Sequence, residues 1–264
     1  LCGMSALFSA LFGTPLTAAV FALEVVSVGV LYYAGFVPCI VSALVAYGVS
    51  LGFGVHPTRF AIAVPAVDVM VLVRTAILAV LCAMVSILFC EVLHRTEHLA
   101  CRVKNPYYRA VAGGCVIIAA TVVLGTTAYN GAGMEVISAA VEQGEANVWD
   151  FLMKMLFTAV TIGCGYKGGE VVPTFFIGAT FGCVLGGLLG LDAGMAAAMG
   201  LIGLFCAATN APLASIMLSV EMFGGTNIHL FAFITVISFV LSGKYGLYAS
   251  QIIQFNKADT LGKS

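Results

Sequence analysis

The feature that most constrains this chain is a long stretch with almost no charge. Between Val171 and Phe223 the only charged side chains are Asp192 and Glu221. An ionised Asp, Lys or Arg near the middle of a bilayer costs about 2.5–3.5 kcal/mol on insertion scales, so this stretch is typical of membrane-buried sequence. The whole chain is 61% hydrophobic and only 9% charged, whereas soluble domains are about 25% charged. We predict an all-α polytopic membrane protein.

Net charge and cysteine spacing exclude other classes. The formal net charge is −1 and no basic tract is present, so nucleic-acid binding has no electrostatic basis. No two of the nine cysteines have CxxC spacing, and most lie in apolar runs, which predicts small buried hydrophobes rather than a metal or redox site. The chain starts at Leu1 as if in mid-helix and lacks the basic segment of a signal peptide, so we expect an N-terminally incomplete sequence.

A glycine-rich turn precedes the longest uncharged stretch. It contains Gly163, Gly165, Gly168 and Gly169. Glycine permits positive φ and close approach of a ligand to the backbone, and a proline such as Pro173 fits the first turn of a helix. The free N–H groups near Glu170, Val171 and Val172 are then expected to converge at the positive end of a helix. This is an anion-binding geometry.

Glu170 is the one acidic side chain at this predicted helix start. One interpretation is a side chain that only caps the first turn of its helix. The other is a functional carboxylate, because an acidic residue against membrane-buried sequence is a functional hypothesis by default. Burial and the helix dipole act in opposite directions on its ionisation, and an arriving anion favours its protonation, so anion and proton are expected to bind cooperatively. Lys154 lies on the segment that leads into this turn.

An internal repeat relates two short helices that begin at proline. Setting Pro15 on Pro212 without a gap also pairs residues before and after the prolines: Leu7 with Leu204, Phe8 with Phe205, Ala10 with Ala207, Leu16 with Leu213 and Glu24 with Glu221. Short broken helices in corresponding places of two halves are typical of repeat-built transporters. We expect Glu24 and Glu221 to be structural ends of these half-helices. The alternative is chance similarity between two apolar helices.

Other segments follow from apolar runs and turn signals. Long helices are expected over 32–53, 68–93 and 106–125, with a solvated charged connection over 91–109. Further apolar helices are expected over 193–208 and 228–242, and a last short helix from Leu247. Tyr248 then places a hydroxyl at a helix start, where a buried tyrosine needs a partner; the alternative is an interfacial tyrosine.

An enzymatic interpretation comes from one motif in the charged connection. His94, Glu97 and His98 form an HxxEH pattern, which resembles the metal-binding motif of inverted zinc proteases. No third ligand set follows it. A polar helix end is the alternative, and we expect no metal and no cofactor.

The order GxGxxGGExxPxxxIGAxxG, then NAPL with a helix ending in Glu, then GKxxLY resembles the CLC family of anion channels and anion/proton antiporters. The resemblance covers essentially the whole chain and implies a CLC-type inverted-repeat fold with broken half-helices. It implies an anion site formed by residues before the proline-started helix and by a central tyrosine hydroxyl: Gly168, Gly169, Glu170, Val171, Val172 and Tyr248. The family also implies a homodimer with one pore in each subunit.

Within this resemblance, Glu170 occupies a place where most members carry an aliphatic residue. A glutamate there resembles the fluoride/proton antiporter branch, as does Val25, which stands where many chloride/proton antiporters carry an inner glutamate. The resemblance implies a gating glutamate and a first selectivity loop upstream of Leu1. We therefore expect residues 1–264 to be one transmembrane domain that lacks part of its first repeat, with that repeat ending in 1–93 and the second spanning about 106–255.

The functional prediction is a multi-pass protein of the plasma membrane that exports fluoride and imports protons, with Glu170 as the proton-coupling residue. Its partners are a fluoride or chloride ion, the proton, a second subunit and the lipid bilayer. Two alternatives stay open, a chloride channel or chloride/proton antiporter of the same fold and a membrane zinc protease.

Overall fold

The computed structural model is almost entirely helical and describes residues 1–63, 67–248, 250–254 and 257. Its α-helices in chain order are α1 (Cys2–Phe12), α2 (Pro15–Glu24), α3 (Phe36–Gly52), α4 (Val69–Ala100), α5 (Pro106–Leu124), α6 (Met134–Ser138), α7 (Asp150–Gly163), α8 (Val171–Leu189), α9 (Ala193–Thr209), α10 (Pro212–Phe223) and α11 (Ile228–Leu241). Shorter elements are a 3₁₀ turn (Tyr33–Gly35), a π-helical turn (Ala139–Gln143) and strands β1 (Ser27–Val28) and β2 (Ile252–Ile253).

The apolar helices fall into long and short classes. Within the described residues, the stretches long and apolar enough to cross a membrane are Tyr33–Gly52, Val69–Ala100, Pro106–Leu124 and Val171–Leu189. In contrast, α2 has 10 residues and α10 has 12. At 1.5 Å per residue such helices reach about 15–18 Å, roughly half of a hydrocarbon core about 30 Å thick. The expectation of broken half-helices is confirmed.

The two half-helices start with the same local backbone. The residues before their prolines, Thr14 and Ala211, have φ of −122° with ψ of 73° and 74°. One residue earlier, Gly13 and Asn210 end the preceding helices in the left-handed region, with φ of 71° and 59°. Glycine and asparagine are the residues that tolerate this conformation best. Positions paired in the internal repeat therefore break the chain in the same way.

Glu24 and Glu221 join these half-helices reciprocally. Glu24 ends α2, and its carboxylate accepts hydrogen bonds from the backbone N–H of Leu213 at 3.0 Å and of Ala214 at 2.8 Å, both in the first turn of α10. Glu221, in the last turn of α10, accepts in the same way from Leu16 at 3.1 Å and Thr17 at 2.8 Å. The end of each helix thus lies at the start of the other, so α2 and α10 run side by side in opposite directions.

Helix α8 packs against α9 through glycine residues at the points where the two helices approach most closely. A Cβ atom added to Gly178 would lie 2.5 Å from the carbonyl oxygen of Gly200, and one added to Gly200 would lie 2.4 Å from the carbonyl oxygen of Gly178. Small residues allow membrane helices to approach this closely. Beside this interface, Phe175 of α8 packs edge-to-face on Phe205 of α9 with ring centroids 5.2 Å apart. The start of α8 is therefore carried by a rigid helix pair.

The predicted boundaries are wrong in two places. The charged connection expected over 91–109 is mostly helix, because α4 continues to Ala100. Arg95 there donates to Glu91 at 2.6 Å across one helical turn, which supports the helix. The last short helix expected from Leu247 is not found in the described residues. Instead β2 pairs in parallel with β1, and the side-chain amide of Gln251 donates to the carbonyl oxygens of Val25 at 2.7 Å and Thr209 at 2.8 Å.

The cysteines only partly match their prediction. All nine are free thiols, and five of them are buried: Cys39, Cys82, Cys90, Cys183 and Cys206. Cys2, Cys101 and Cys115 are exposed instead, at the end of a helix or on the outward face of α5. Apolar sequence around a cysteine does not distinguish an interior position from an apolar outer surface, which is why the prediction failed there.

Candidate functional site

The start of α8 is built as the sequence predicts, with a glycine-rich turn followed by a helix. Glu170 is the residue that precedes the first helical residue, Val171, and its carbonyl oxygen accepts the N–H of Thr174 at 3.3 Å. Pro173 lies in the first turn, where its missing N–H leaves no internal hydrogen bond unmade. The backbone N–H groups before Thr174 are thus left for another acceptor.

Two long side chains of α5 and the turn fix the turn in place. Arg109 donates through Nε to the carbonyl oxygen of Cys164 at 3.2 Å, at the end of α7. The hydroxyl of Tyr166 donates to the carbonyl oxygen of Ala110 at 2.8 Å. Between them Gly165 has a φ of 93°, which a residue with a side chain rarely adopts. Sequence reasoning missed Arg109 and Tyr166; the signal available was one arginine and one tyrosine flanking a glycine-rich turn.

Glu170 does not use its side chain to cap the helix. The structure has no capping hydrogen bond from this carboxylate, so the interpretation of Glu170 as a capping side chain is not supported. Its Oε2 atom is buried and has no hydrogen-bond partner among the described residues. A buried carboxylate oxygen without a partner is costly, and such an atom is an available position for a proton or a ligand.

Tyr248 lies near Glu170 although the two are far apart in sequence. Glu170 is close enough for electrostatic interaction with Tyr248 and with Cys90 of α4. Glu97, about two helical turns further along α4, also interacts electrostatically with Glu170. Tyr248 is half-buried, and its hydroxyl makes no hydrogen bond within the described part of the chain. The structure therefore brings together two predicted site residues, and neither Oε2 of Glu170 nor the hydroxyl of Tyr248 has a hydrogen-bond partner among the described residues.

A cavity of about 510 Å³ opens beside the turn. Its wall includes Gly168, Gly169 and Val172 of the predicted site, together with Pro173. A Cβ atom at Gly168 or Gly169 would meet nothing within 4 Å, so the backbone of the turn is accessible there. Val171 and Val172 both pack, partly buried, against the hydrophobic core. The predicted anion-binding residues thus divide into an open turn, a pair formed by Glu170 and Tyr248, and two valines that pack at the start of α8.

The motif of the zinc-protease alternative lies far along α4. His94, Glu97 and His98 are all on this helix, in the part for which the sequence predicts a solvated connection. Over the residues that the structure describes, no group of three or more His, Cys, Asp or Glu side chains is arranged to hold a metal ion.

Comparison with known proteins identifies the architecture. A family model described as "Voltage gated chloride channel" matches residues 1–243. A curated protein named "Chloride/fluoride channel protein" from Pseudomonas syringae pv. tomato is 36% identical over 263 residues, which cover 97% of this chain and 58% of that protein. "Voltage-gated ClC-type chloride channel ClcB" from Escherichia coli is 29% identical over 240 residues, covering 84% of this chain and 56% of that protein. The chain thus spans less than two thirds of the length of these relatives.

Solved structures give the same result. One described as "Crystal structure of a CLC-type fluoride/proton antiporter" matches with a TM-score of 0.91 and 30% identity, over 96% of this chain and 64% of that one. A eukaryotic CLC transporter matches with a TM-score of 0.64 and 20% identity, over 88% of this chain and 41% of that one. The second likeness shows the fold alone, whereas the first extends over nearly every described helix.

Proposed function

Because the chain belongs to the voltage-gated chloride channel family, the CLC family, we propose that the complete protein exchanges fluoride for protons across the membrane. Membership identifies a multi-pass anion-transport protein rather than an enzyme. The observation that carries the finer proposal is the carboxylate of Glu170, which lies at an open helix start and has a buried oxygen without a hydrogen-bond partner among the described residues. Fluoride is the exported ion in this proposal, and the proton moves inward.

The chemistry of the proposal depends on the two forms of one carboxyl group. Protonated Glu170 donates a hydrogen bond, and fluoride is a stronger hydrogen-bond acceptor than chloride, so this donor favours fluoride. Ionised Glu170 repels an anion and holds a site for a proton. Anion arrival and protonation therefore favour each other, as interacting charges require. Selectivity and proton coupling come from the same side chain.

Tyr248 supplies a second donor to the anion in this proposal. Its hydroxyl is near Glu170 in space and makes no hydrogen bond with the described residues. The N–H groups of the open turn at Gly168 and Gly169 and of Val171 and Val172 add the positive end of α8. A partly dehydrated anion then has donors from the turn, the helix start and the tyrosine.

The names of the relatives support halide transport but do not decide between fluoride and chloride. The named Pseudomonas syringae protein is a chloride/fluoride channel protein and the solved neighbour is a fluoride/proton antiporter, while the Escherichia coli relative is a chloride channel. The competing proposal is therefore a chloride channel or chloride/proton antiporter of the same fold. A glutamate at position 170 favours fluoride.

The remaining features of the proposal concern assembly. We place the protein in the plasma membrane as a homodimer with one pore in each subunit. Residues 1–264 form a single transmembrane domain, with the first repeat ending in 1–93 and the second spanning about 106–255.

Transport in liposomes tests the proposal. Full-length protein is reconstituted, and proton uptake is recorded while fluoride leaves down its gradient, with the membrane potential clamped. Proton uptake that depends on fluoride efflux, and that chloride efflux does not drive, is the expected result. Proton uptake driven equally by chloride supports the chloride/proton antiporter, and halide efflux without proton movement supports a channel; either result rejects the proposal.

A further inference from the structure

A buried lysine lies behind the start of α8. Lys154, in the second turn of α7, is only 1% exposed. Its ammonium group donates to the carbonyl oxygens of Tyr129 at 3.2 Å and Gly131 at 2.6 Å. It also lies 4.9 Å from the centre of the Phe176 ring, on the first turns of α8. These contacts solvate the ammonium group with dipoles and a ring face, and they leave its charge uncompensated.

No carboxylate neutralises this charge directly. Lys154 forms no ion pair within the described residues. Asp150 precedes it by one helical turn, but its Oδ1 accepts the hydroxyl of Tyr129 at 2.7 Å and its Oδ2 accepts the N–H of Asn147 at 2.9 Å. A buried ammonium without an ionic partner is costly, because dipoles replace only part of the lost hydration.

The same lysine forms part of the cavity wall beside the open turn. The cavity of about 510 Å³ is lined by Lys154 together with Gly168, Gly169 and Val172. The helix start contributes a positive potential from its free N–H groups. Lys154 adds a full positive charge in surroundings of low dielectric constant, where charges interact more strongly than in water. The positive potentials of the α8 helix start and of Lys154 therefore both favour a small anion in this cavity.

We propose that this cavity binds a monovalent anion and that Lys154 is its counter-charge. This inference rests on the proposed function and extends it, because it assigns a cationic residue to the anion path in addition to the donors at Glu170 and Tyr248. The lysine concentrates halide ions at the turn, from which they reach the start of α8. Its role is electrostatic, so it acts on fluoride and chloride alike and leaves selectivity to Glu170.

A purely structural role is the competing explanation. Lys154 also fastens the segment around Tyr129 and Gly131 to α7, and losing those hydrogen bonds lowers stability whether or not an anion binds. Substitutions that keep or remove the charge at position 154 distinguish the structural role from the electrostatic role. Lys154→Gln retains donors but removes the charge, Lys154→Arg retains the charge, and Lys154→Met removes both. Lys104→Gln, at an exposed position between α4 and α5, is a control with the same change in net charge.

The experiment measures equilibrium binding of fluoride, and separately of chloride, to purified full-length protein by calorimetry. We expect Lys154→Gln and Lys154→Met to weaken binding of either halide about tenfold, and Lys154→Arg and Lys104→Gln to bind within about twofold of the parent protein. The thermal unfolding midpoint is recorded for each. Unchanged affinity in the neutral variants, or equal loss in the Arg and Gln variants, overturns the inference. Should Lys154→Gln not fold, Lys154→Met decides, and if neither neutral variant folds while Lys154→Arg does, a structural role stands and the inference is rejected.

The outcome also separates this inference from the proposed function. If the parent protein binds halide with the expected dependence on Lys154 yet moves no protons in liposomes, the fluoride/proton proposal fails and the role of Lys154 stands. If proton-coupled fluoride exchange is present while halide affinity does not depend on the charge at position 154, the role of Lys154 fails alone.

Discussion

Glu24 and Glu170 both place a carboxyl group at the start of a helix, Glu24 at the start of α10 and Glu170 at the start of α8, and they differ in what their oxygens contact. Glu24 uses both oxygens to accept N–H groups from α10, and only 7% of the residue is exposed. Within the part of the chain that the structure describes, the Glu170 carboxylate makes no capping hydrogen bond, and its buried Oε2 has no hydrogen-bond partner. The first carboxylate is already saturated with donors, so a proton or anion can reach it only by breaking helix contacts. The carboxyl group of Glu170 can take up a proton or contact an anion without breaking such helix contacts.

The comparison separates architecture from transport. Glu24 has a repeat-related counterpart in Glu221, which binds the start of α2 in the same reciprocal way. Glu170 lies outside the residue pairs that define the internal repeat. The two repeat-related carboxylates join the half-helices, whereas Glu170 lies beside an open turn. Three substitutions test this distinction between structural residues and transport residues. They are given in order of decreasing expected effect.

The largest effect is expected at the interface that carries α8. Gly178→Ala places a Cβ atom 2.5 Å from the carbonyl oxygen of Gly200, and backbone cannot move aside cheaply. We expect a loss of about 3 kcal/mol in stability, at the upper end for overpacking, seen as a lower thermal unfolding midpoint. Gly187→Ala on the same helix is the control, since nothing lies within 4 Å of its added Cβ. Equal midpoints for the two variants would show that packing does not hold α8.

A smaller loss is expected at Glu24. Glu24→Gln replaces one acceptor oxygen by an amide that cannot accept, which leaves an N–H of α10 unpaired and removes a charge from its start. The expected cost is about 2–3 kcal/mol in stability, with proton coupling intact in the folded protein. Glu221→Gln is the matched variant at a partly exposed position, and about 1 kcal/mol or less is expected there. Lost proton coupling in a correctly assembled Glu24→Gln protein would assign Glu24 to transport.

The smallest change affects binding alone. Tyr248→Phe removes one hydroxyl donor from the proposed anion site, and losing a hydrogen bond to a charged group costs about 1.5 kcal/mol. We expect fluoride affinity to fall about tenfold with an unchanged thermal unfolding midpoint. Tyr245→Phe, at an exposed tyrosine on the same segment, is the control. An anion affinity and a proton stoichiometry that both equal those of the parent protein reject the role of Tyr248.

Local rules in the sequence predicted the elements that local chemistry determines. Pro15 and Pro212 begin half-helices because proline suits a first turn, and the internal repeat placed Glu24 and Glu221 in equivalent positions before any contact was known. The same rules could not show that each glutamate binds the other half-helix, since those contacts join residues 205 and 189 positions apart.

The residues of the candidate site could be predicted in part, whereas its tertiary contacts could not. The glycine-rich turn and Glu170 follow from residue type, and Tyr248 follows from the family resemblance. The helix expected after Tyr248 was wrong because pairing of β2 with β1, which is a tertiary contact, decides the structure there. The cavity, the unpartnered oxygen of Glu170 and the counter-charge at Lys154 depend on how α7 and α8 pack, which no sequence pattern reports.

The most direct test distinguishes Glu170 from the repeat-related glutamates, here represented by Glu221. It measures proton and fluoride fluxes together. Full-length Glu170→Gln and Glu221→Gln proteins are compared with the parent protein in liposomes, after each is shown to be folded and assembled. Gln keeps the shape and hydrogen bonding of Glu but cannot titrate. We predict that Glu170→Gln slows or uncouples fluoride/proton exchange, while Glu221→Gln retains the parental ratio of protons to fluoride. A Glu170→Gln protein that exchanges fluoride for protons at the parental rate and ratio would contradict the account.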